Sequence, residues 1–248
     1  MEWGGRTLSV EIGKLALLTH ASCTVRYGDT VILATAIMSK NTRDGIDFFP
    51  LTVNFEEKLY AAGKIKGSRF IKREGRPSDD AILSGRLVDR AIRPLFDNST
   101  RNDVQIILTA LSYDTENDPQ IPALIAASLA LTISPIPWAG PIAGARVGRL
   151  EDGDWLLNPT SIQRAGKMLD LVVAGTSEKL IMVEAGSKEL PEDLMFSAMR
   201  YGAEQISPVV DFINKIQKEI GKEKIDLNKS ANGTEQKLKS VEKEVREG

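Results

Sequence analysis

The sequence predicts one α+β domain of about 215 residues, followed by a polar tail. Three observations carry this prediction. Apolar alternation typical of sheet fills residues 6–60, and a charge-free apolar helix follows at Ala123–Ser134. Turn-linked strand pairs between residues 140 and 183 then lead into a long helical pattern at Glu192–Ile220. With 248 residues, 42% of them hydrophobic, the chain is long enough to bury a sizeable core.

The first group of segments predicts a sheet. Arg6 to Ile12 alternates apolar and polar residues. Cys23–Arg26 and Thr30–Ile37 are strand-like, and the Tyr27-Gly28-Asp29 turn between them predicts a hairpin. Leu51 to Tyr60 alternates again and predicts a further strand.

A helix is predicted from Ser78 to about Arg93. Ser78 is suited to cap its first turn, which carries two acids that favour the positive end of the helix dipole. Pro94 disfavours helical geometry at the residue before it. The residues expected to line the buried face are Ile82, Leu83, Leu87 and Ile92.

The stretch from Pro119 to Ala145 carries no charge, and a membrane span is one interpretation of it. Its five prolines limit the continuous helix to Ala123–Ser134, shorter than the ~20 residues that a bilayer requires. A buried helix in the core is therefore expected, next to a buried strand at Val104–Leu111.

The later segments predict two more strand pairs and a long helix. Asp152-Gly153 is a hairpin turn between Gly140–Leu150 and Trp155–Leu157. The second pair is Leu169–Ala174 with Lys179–Val183, and Glu192–Ile220 is expected to be helical with an interruption or kink near Pro208. Residues 1–220 are thus assigned to the core domain, and residues 221–248 to a linker or the start of a further segment.

Composition excludes several kinds of site. Cys23 is the only cysteine and His20 the only histidine, so neither an intramolecular disulfide nor a histidine metal cluster can form. A single thiol and no visible signal peptide fit a reducing, cytoplasmic setting. The glycines lack the spacing of a phosphate-binding or dinucleotide-binding loop.

Positive charge is concentrated in one loop of a chain whose net charge is −2. Between Lys64 and Arg76 there are six cations and one acid, with Phe70 among them. Cations for phosphates and a ring for a base to stack on suit a single-stranded nucleic acid, although charged loops are also commonly only solvated. The loop residues singled out as binding candidates are Phe70, Lys72, Arg73 and Arg76.

Three arginines continue this positive region along the predicted helix. Arg86, Arg90 and Arg93 are spaced i, i+4 and i+7 and so share one face. The alternative is a solvated face in which Asp89 pairs with two of them, but one acid cannot neutralise three arginines. Because the guanidinium fork matches phosphate, contact with phosphate or RNA is favoured, with a structural role expected for at least one arginine.

The acids of Tyr113–Asp118 invite a metal-binding interpretation. Asn117-Asp118-Pro119 is turn chemistry, however, so a solvated loop that begins a helix is preferred.

Several motifs together resemble the RNase PH-type core domains, in particular the first such domain of the bacterial polynucleotide phosphorylase family. The resemblance covers about Trp3 to Ile216. In chain order the motifs are DFFPLTVNF, AAGKI, FIKREGRPS, GRLVDRAIRPLF, GPIAGARVG, LNPT and LDLVVAGT.

The resemblance implies a fold and an activity. The fold is the β-α-β-α RNase PH core, of the ribosomal protein S5 domain 2-like class, followed by the start of an all-α segment. The activity is that of a nucleotidyltransferase which degrades single-stranded RNA from the 3′ end by phosphorolysis, releasing nucleoside diphosphates in mRNA turnover. Inorganic phosphate is the implied co-substrate, Mg²⁺ or Mn²⁺ the implied cofactor, and a homotrimeric ring with a second RNase PH core the implied assembly.

In the family, the active site lies in the second core domain, so no catalytic or metal-binding residue is assigned to this chain. The family's loop at the channel constriction corresponds to Phe70-Ile71-Lys72-Arg73, and its helix arginines correspond to Arg86, Arg90 and Arg93. Where the second core has a serine-rich phosphate turn, this chain has Asp118-Pro119-Gln120-Ile121-Pro122, and of the metal carboxylates only Asp170 remains nearby.

Three hypotheses remain open on the residues. The chain supplies the RNA channel of a phosphorolytic exoribonuclease whose catalytic core lies elsewhere. Alternatively, it is a stand-alone RNA-binding or scaffold subunit of an exosome-like ring, or it is an active nuclease by itself. The first is preferred because the phosphate turn lacks hydroxyls.

Overall fold

The structure is a computed structural model that describes residues 1–42, 45–65, 67, 75–150, 153–164 and 168–227. Three of the predicted binding residues, Phe70, Lys72 and Arg73, lie outside the described residues, as do Asp152 of the predicted turn and residues 228–248 of the predicted tail.

A six-stranded sheet forms the first layer. Its strands are β1 (Glu2–Trp3), β2 (Arg6–Ile12), β3 (Ala21–Tyr27), β4 (Thr30–Thr42), β5 (Leu51–Glu57) and β6 (Asn102–Ser112). The spatial order is β1-β2-β3-β4-β6-β5, with all neighbours antiparallel except β5 and β6. Gly28 takes a positive φ of 60° in the tight β3–β4 turn, which accounts for glycine there.

Helix α1 (Asp79–Ile92) connects the two parallel strands β5 and β6, as a parallel pair requires. The Ser78 hydroxyl accepts from the Ala81 amide at 3.0 Å and donates to Glu57 at 2.7 Å, so the helix start is fixed to the end of β5. A Cβ at Gly85 would lie 3.2 Å from the Val53 carbonyl oxygen, which explains how closely α1 packs on β5.

Helix α2 (Gln120–Ile133) is the centre of the core. Every residue from Ile121 to Ile133 is buried, because α2 packs against β3 and β4 of the first sheet and β7 of a second one. That second sheet contains β7 (Ala143–Arg149), β8 (Trp155–Leu157), β9 (Leu169–Gly175) and β10 (Leu180–Ser187), in the antiparallel order β10-β9-β7-β8. Between β8 and β9 lies one short helix, α3 (Ser161–Arg164).

Helix α4 (Glu192–Ile220) covers the second sheet and also contacts α2. Helix α4 is continuous through Pro208, so the interruption expected near this residue does not occur between Glu192 and Ile220. After α4 the chain turns back along α2: the Lys222 amide donates to the Ile133 carbonyl, and the Ile225 amide to the Pro135 carbonyl. Among the described residues, no helix combines the length and the apolar character needed to span a membrane.

The predicted elements are confirmed in kind and order, with corrections in detail. The strand predicted to continue to Tyr60 ends at Glu57 and is followed by a 3₁₀ turn at Leu59–Ala62. On α1, Leu87 and Ile92 are buried as expected, but the prediction for Ile82 and Leu83 is wrong. These two side chains are 38% and 62% exposed, whereas the small residues Ala81, Ser84 and Gly85 are buried, with Gly85 close to the Val53 carbonyl of β5.

Candidate functional site

The three arginines of α1 differ in what surrounds them. Arg93 is bound into the fold: its guanidinium pairs with both oxygens of Asp89 at 2.7 and 3.2 Å. It also donates to the carbonyls of Phe49 at 3.4 Å and Leu51 at 3.1 Å, at the start of β5. This is the structural role that was expected for at least one of the arginines.

Arg90 and Arg86 lie on the exposed side of α1. Arg90 forms an ion pair with Glu184 of β10 at 2.8 Å, and both side chains are about half exposed. Arg86 is exposed and has no hydrogen bond or ion pair to the part of the chain that the structure describes. Arg76, which precedes the cap of α1, is likewise exposed.

The connection between β5 and α1 contains the cationic loop. Its described ends are open to solvent: Ile65 is 95% exposed, and both Gly75 and Arg76 are exposed. Arg76 lies at the end of this connection and Arg86 within the helix that follows it, and both side chains are exposed. Exposed cations at this position are able to contact a polyanion.

A second cluster of charges lies partly buried where the second sheet meets the start of α2. Arg146 on β7 pairs with Asp170 on β9 at 2.6 Å and with Asp118, just before α2, at 3.1 Å. Arg164 on α3 pairs with the same Asp118 at 2.8 Å. The Gln120 side chain accepts from Arg146 at 2.6 Å and donates to the Ser84 hydroxyl at 3.1 Å, which links the cluster to α1.

A hydrogen-bond network centred on the Tyr27 hydroxyl borders this cluster. The Tyr27 hydroxyl donates to the Trp3 carbonyl at 3.0 Å and accepts from Asn158 at 3.2 Å and from Arg6 at 3.3 Å. Asn158 takes a positive φ of 48° and accepts from the Arg146 amide. These residues therefore hold β7 and β8 in register beside the N-terminal end of α2.

The loop before α2 differs from the solvated loop that was predicted. Asp114 accepts from the amides of Asp29, Glu116 and Asn117, and these hydrogen bonds lower the pKa of its partly buried carboxyl despite the opposing effect of desolvation. Asn117 is buried, and Asp118 is engaged by two arginines. The loop is ordered because its acids have donors inside the fold.

The other candidate reactive groups, Cys23 and His20, form hydrogen bonds within the fold. Cys23 is buried, which raises the pKa of its thiol to about 12, and the thiol donates to the Ala126 carbonyl at 3.4 Å. The His20 ring accepts from the Met38 amide at 3.3 Å. Within the described ranges, no group of three or more histidine, cysteine or acidic residues is placed to hold a metal ion.

The buried charged cluster was not found from the sequence. The sequence analysis assigns no phosphate-binding chemistry to Asp118, Gln120 or Asp170. The sequence signal for this cluster is Arg146, because a charged residue among the small and apolar residues of a strand needs a partner of opposite charge when it is buried. Spacing along the chain does not reveal that this partner comes from residues before α2 and from β9.

Family models match nearly the whole folded part. The model of the 3′ exoribonuclease family, domain 1, matches residues 4–137, and that of domain 2 matches residues 140–205. The boundary between them falls between α2 and the first strand of the second sheet.

Curated relatives and one solved structure agree with the models. The chain is 53% identical over 224 residues to a polyribonucleotide nucleotidyltransferase of Ruminiclostridium cellulolyticum and 54% identical over 226 residues to one of Alkaliphilus oremlandii. These matches cover 90% and 91% of this chain, and the chain spans about a third (32%) of each relative's length. Rice Rrp46 shares the fold, with a TM-score of 0.69 and 18% identity, over 84% of this chain and 93% of that one. The chain therefore belongs to the 3′ exoribonuclease family of RNase PH-type proteins.

Proposed function

We propose that this chain supplies the RNA-guiding part of a phosphorolytic 3′–5′ exoribonuclease that acts in mRNA turnover in the cytoplasm. The observation that carries the proposal is the exposed Arg86 on α1, which has no ion pair or hydrogen bond to another described residue, in the helix that follows a connection rich in lysine and arginine. A guanidinium without a carboxylate partner is open to phosphate, and arginine binds phosphate in a bidentate manner. Arg76, Arg86 and Arg90 are the contacts proposed from the described part of the chain, together with Phe70, Lys72 and Arg73 from the loop.

Arg93 has a different place in this proposal. Its donors are taken by Asp89 and by the carbonyls of β5, so it acts on RNA by positioning α1. Arg90 has an intermediate position, because Glu184 competes with RNA phosphates for its guanidinium. The expected order of loss in RNA affinity is therefore Arg86 first, then Arg90.

Phosphorolysis itself is proposed to take place in a second RNase PH core of the assembled enzyme, within a trimeric ring. Inorganic phosphate is the co-substrate there, and Mg²⁺ or Mn²⁺ is bound there. Two features of this chain support the division of labour: Asp118 and Asp170 are both paired with arginine, and a carboxylate at the start of α2 opposes a phosphate ion. The chain alone is accordingly expected to release no nucleoside diphosphate from poly(A), phosphate and Mg²⁺.

The salt dependence of RNA binding tests the proposal. Fluorescence anisotropy with a labelled oligoadenylate measures Kd over a range of salt concentrations for the chain and for Arg86→Met. Loss of one phosphate contact reduces the slope of log K against log salt by about 0.7 for a single strand. Lys72→Ala with Arg73→Ala is expected to reduce it by about twice as much.

Arg200→Met is a matched control. Arg200 is an exposed arginine on α4 with a weak i, i+4 partner, Glu204, at 3.5 Å, so its removal changes the net charge by the same amount at another surface. Its slope should equal that of the unaltered chain. If Arg86→Met and Arg200→Met give the same slope, α1 does not carry the RNA.

A further inference from the structure

The chain that follows α4 returns to the core as a short strap, residues 221–227. Two of its backbone amides donate to carbonyls at and just after the end of α2: Lys222 to Ile133 at 3.0 Å, and Ile225 to Pro135 at 2.9 Å. The Lys222 ammonium also donates to the His20 carbonyl, between β2 and β3, at 2.7 Å. The strap therefore joins the end of α4 to the end of α2 and to the first sheet.

Lys224 lies in the middle of the strap and is partly buried. Its ammonium donates to three backbone carbonyls: Leu131 at 2.7 Å, Ser134 at 2.8 Å and Thr132 at 3.1 Å. An ammonium has three N–H donors, so all of them are used. The acceptors belong to the C-terminal end of α2, where carbonyls are in excess and a cation is favoured. Lys224 thus caps α2 from a part of the chain at least 90 residues away.

The strength of this cap depends on the chemical state of one nitrogen. Acylation of a lysine amine removes its positive charge and leaves a single N–H, and it adds an acyl oxygen that is itself an acceptor. One N–H cannot serve three carbonyls, and the acyl oxygen would lie among them without a donor. An acylated Lys224 therefore does not fit the closed strap.

The same contacts determine when the amine is open to a reagent. In the closed strap every N–H of Lys224 is directed at a carbonyl, so the nitrogen reacts only after the strap is released. Lys215 on α4 is exposed and is not restricted in this way. Because the acylated form cannot close again, each reaction retains the released state.

We propose that Lys224 is an acylation site that acts as a latch: the free amine holds the strap closed, and acylation of its Nζ by an acyl phosphate keeps the strap open. The nitrogen attacks the acyl carbon, a C–N bond forms as the C–O bond to phosphate breaks, and the departing phosphate takes up the proton that the nitrogen loses. With the strap open, the last carbonyls of α2 turn to water, and the chain after Ile220 is no longer held against α2. This inference does not rest on RNA binding.

Hydrogen–deuterium exchange after partial acetylation tests the latch. Lys222→Arg is used as the background, so that Lys224 is the one lysine of the strap that acetyl phosphate can modify, while a cationic donor to His20 is retained. Acetylated and unmodified strap peptides from one folded sample are then distinguished by mass. The strap amides should exchange about tenfold faster in the acetylated form, because bonds to a charged donor are lost. Peptides from the interior of α2 should exchange equally in both forms.

Three variants make the comparison specific. Lys224→Gln, a neutral substitute for acyl-lysine, should open the strap without reagent, whereas Lys224→Arg, which retains a charged donor, should remain closed. Lys215→Gln removes the same charge at the surface of α4 and should leave the strap unchanged. In the folded chain Lys224 should be acetylated more slowly than Lys215, and in urea the two rates should be equal.

Several results would overturn the proposal. They are a strap that exchanges equally with and without acetylation, an equal opening in Lys215→Gln, and a complete lack of acetylation at Lys224 in the folded chain. Faster exchange throughout α2 would also overturn it, because Lys224 would then support the whole core. If Lys224→Gln does not fold, the comparison of acetylated with unmodified peptides in the folded sample decides the question.

Discussion

The replacement of Arg93 by methionine offers a quantitative check on the different roles of the α1 arginines. Methionine keeps most of the side-chain volume but removes every donor. Four contacts are lost: the two hydrogen bonds to Asp89 and those to the carbonyls of Phe49 and Leu51. The Asp89 carboxylate, whose side chain is only 14% exposed, loses its arginine partner.

The expected loss follows from burial. A hydrogen bond to a charged group contributes about 1.5–3 kcal/mol when buried, whereas an exposed ion pair contributes about 0–1 kcal/mol. Arg93 is 39% exposed, so its bonds fall between these limits, and most of the cost comes from Asp89. We expect the free energy of unfolding to fall by about 2 kcal/mol, equivalent to a Tm lower by about 4–8 °C for a domain of this size.

Urea denaturation followed by circular dichroism measures this change directly. Arg86→Met is the internal control and should remain within about 0.5 kcal/mol of the unaltered chain, because Arg86 has no partner to lose in the described structure. Arg93→Lys should be intermediate, since an ammonium cannot pair with a carboxylate through two parallel bonds. Equal stability of Arg93→Met and Arg86→Met would refute the assignment of Arg93 to the fold.

Three other outcomes are expected. Burial lowers the pKa of Lys224 to about 8 from 10.5, so between these pH values the unfolded chain binds more protons than the folded chain, and stability should rise with pH. The urea midpoint of the unaltered chain, measured relative to that of Lys224→Met, should therefore increase from pH 8 to pH 9.5. A constant difference between the two midpoints would contradict this. Gly202→Ala places a Cβ 2.5 Å from Val173, so calorimetry should show a loss of about 1–3 kcal/mol, while Gly186→Ala, with nothing within 4 Å, should be close to neutral. The Cys23 thiol, with its pKa raised to about 12, should resist alkylation by iodoacetamide at pH 8 until urea is added, and rapid labelling of the folded chain would show that the thiol is accessible.

The fold could largely be predicted because its elements have strong local patterns. Arg6–Ile12 alternates throughout its length and forms β2 with the predicted bounds. Ala123–Ser134 is apolar on every side, and only a helix packed between two sheets can bury all of it. For Ile82 and Leu83 the hydrophobic pattern predicts burial, but both side chains are exposed. The buried face of α1 instead carries a small residue, Gly85, where the helix approaches β5 closely.

The candidate site could be predicted only in part, for a related reason. Helical spacing correctly places Arg86 and Arg90 on α1, with Arg93 directly after its last residue, but spacing carries no information on which carboxylate each one meets. Glu184 is 94 residues away from Arg90 along the chain, and the carbonyl partners of Arg93 lie more than 40 residues before it. The same limit concealed the pairing of Arg146 with Asp118 and Asp170. Such partners are set by tertiary packing, which local patterns do not specify.

The position of α2 between the sheets has a consequence for folding during synthesis. This helix packs on β3 and β4, which are made before it, and also contacts β7 and α4, which are translated later. The Trp3 indole donates to the Gln205 carbonyl, a bond between residues 202 positions apart, so the N-terminal edge also closes late. A nascent chain of about 140 residues would expose a helix that is apolar on all sides and vulnerable to aggregation. We therefore expect the two parts matched by separate family models to unfold together, and neither to be stable alone.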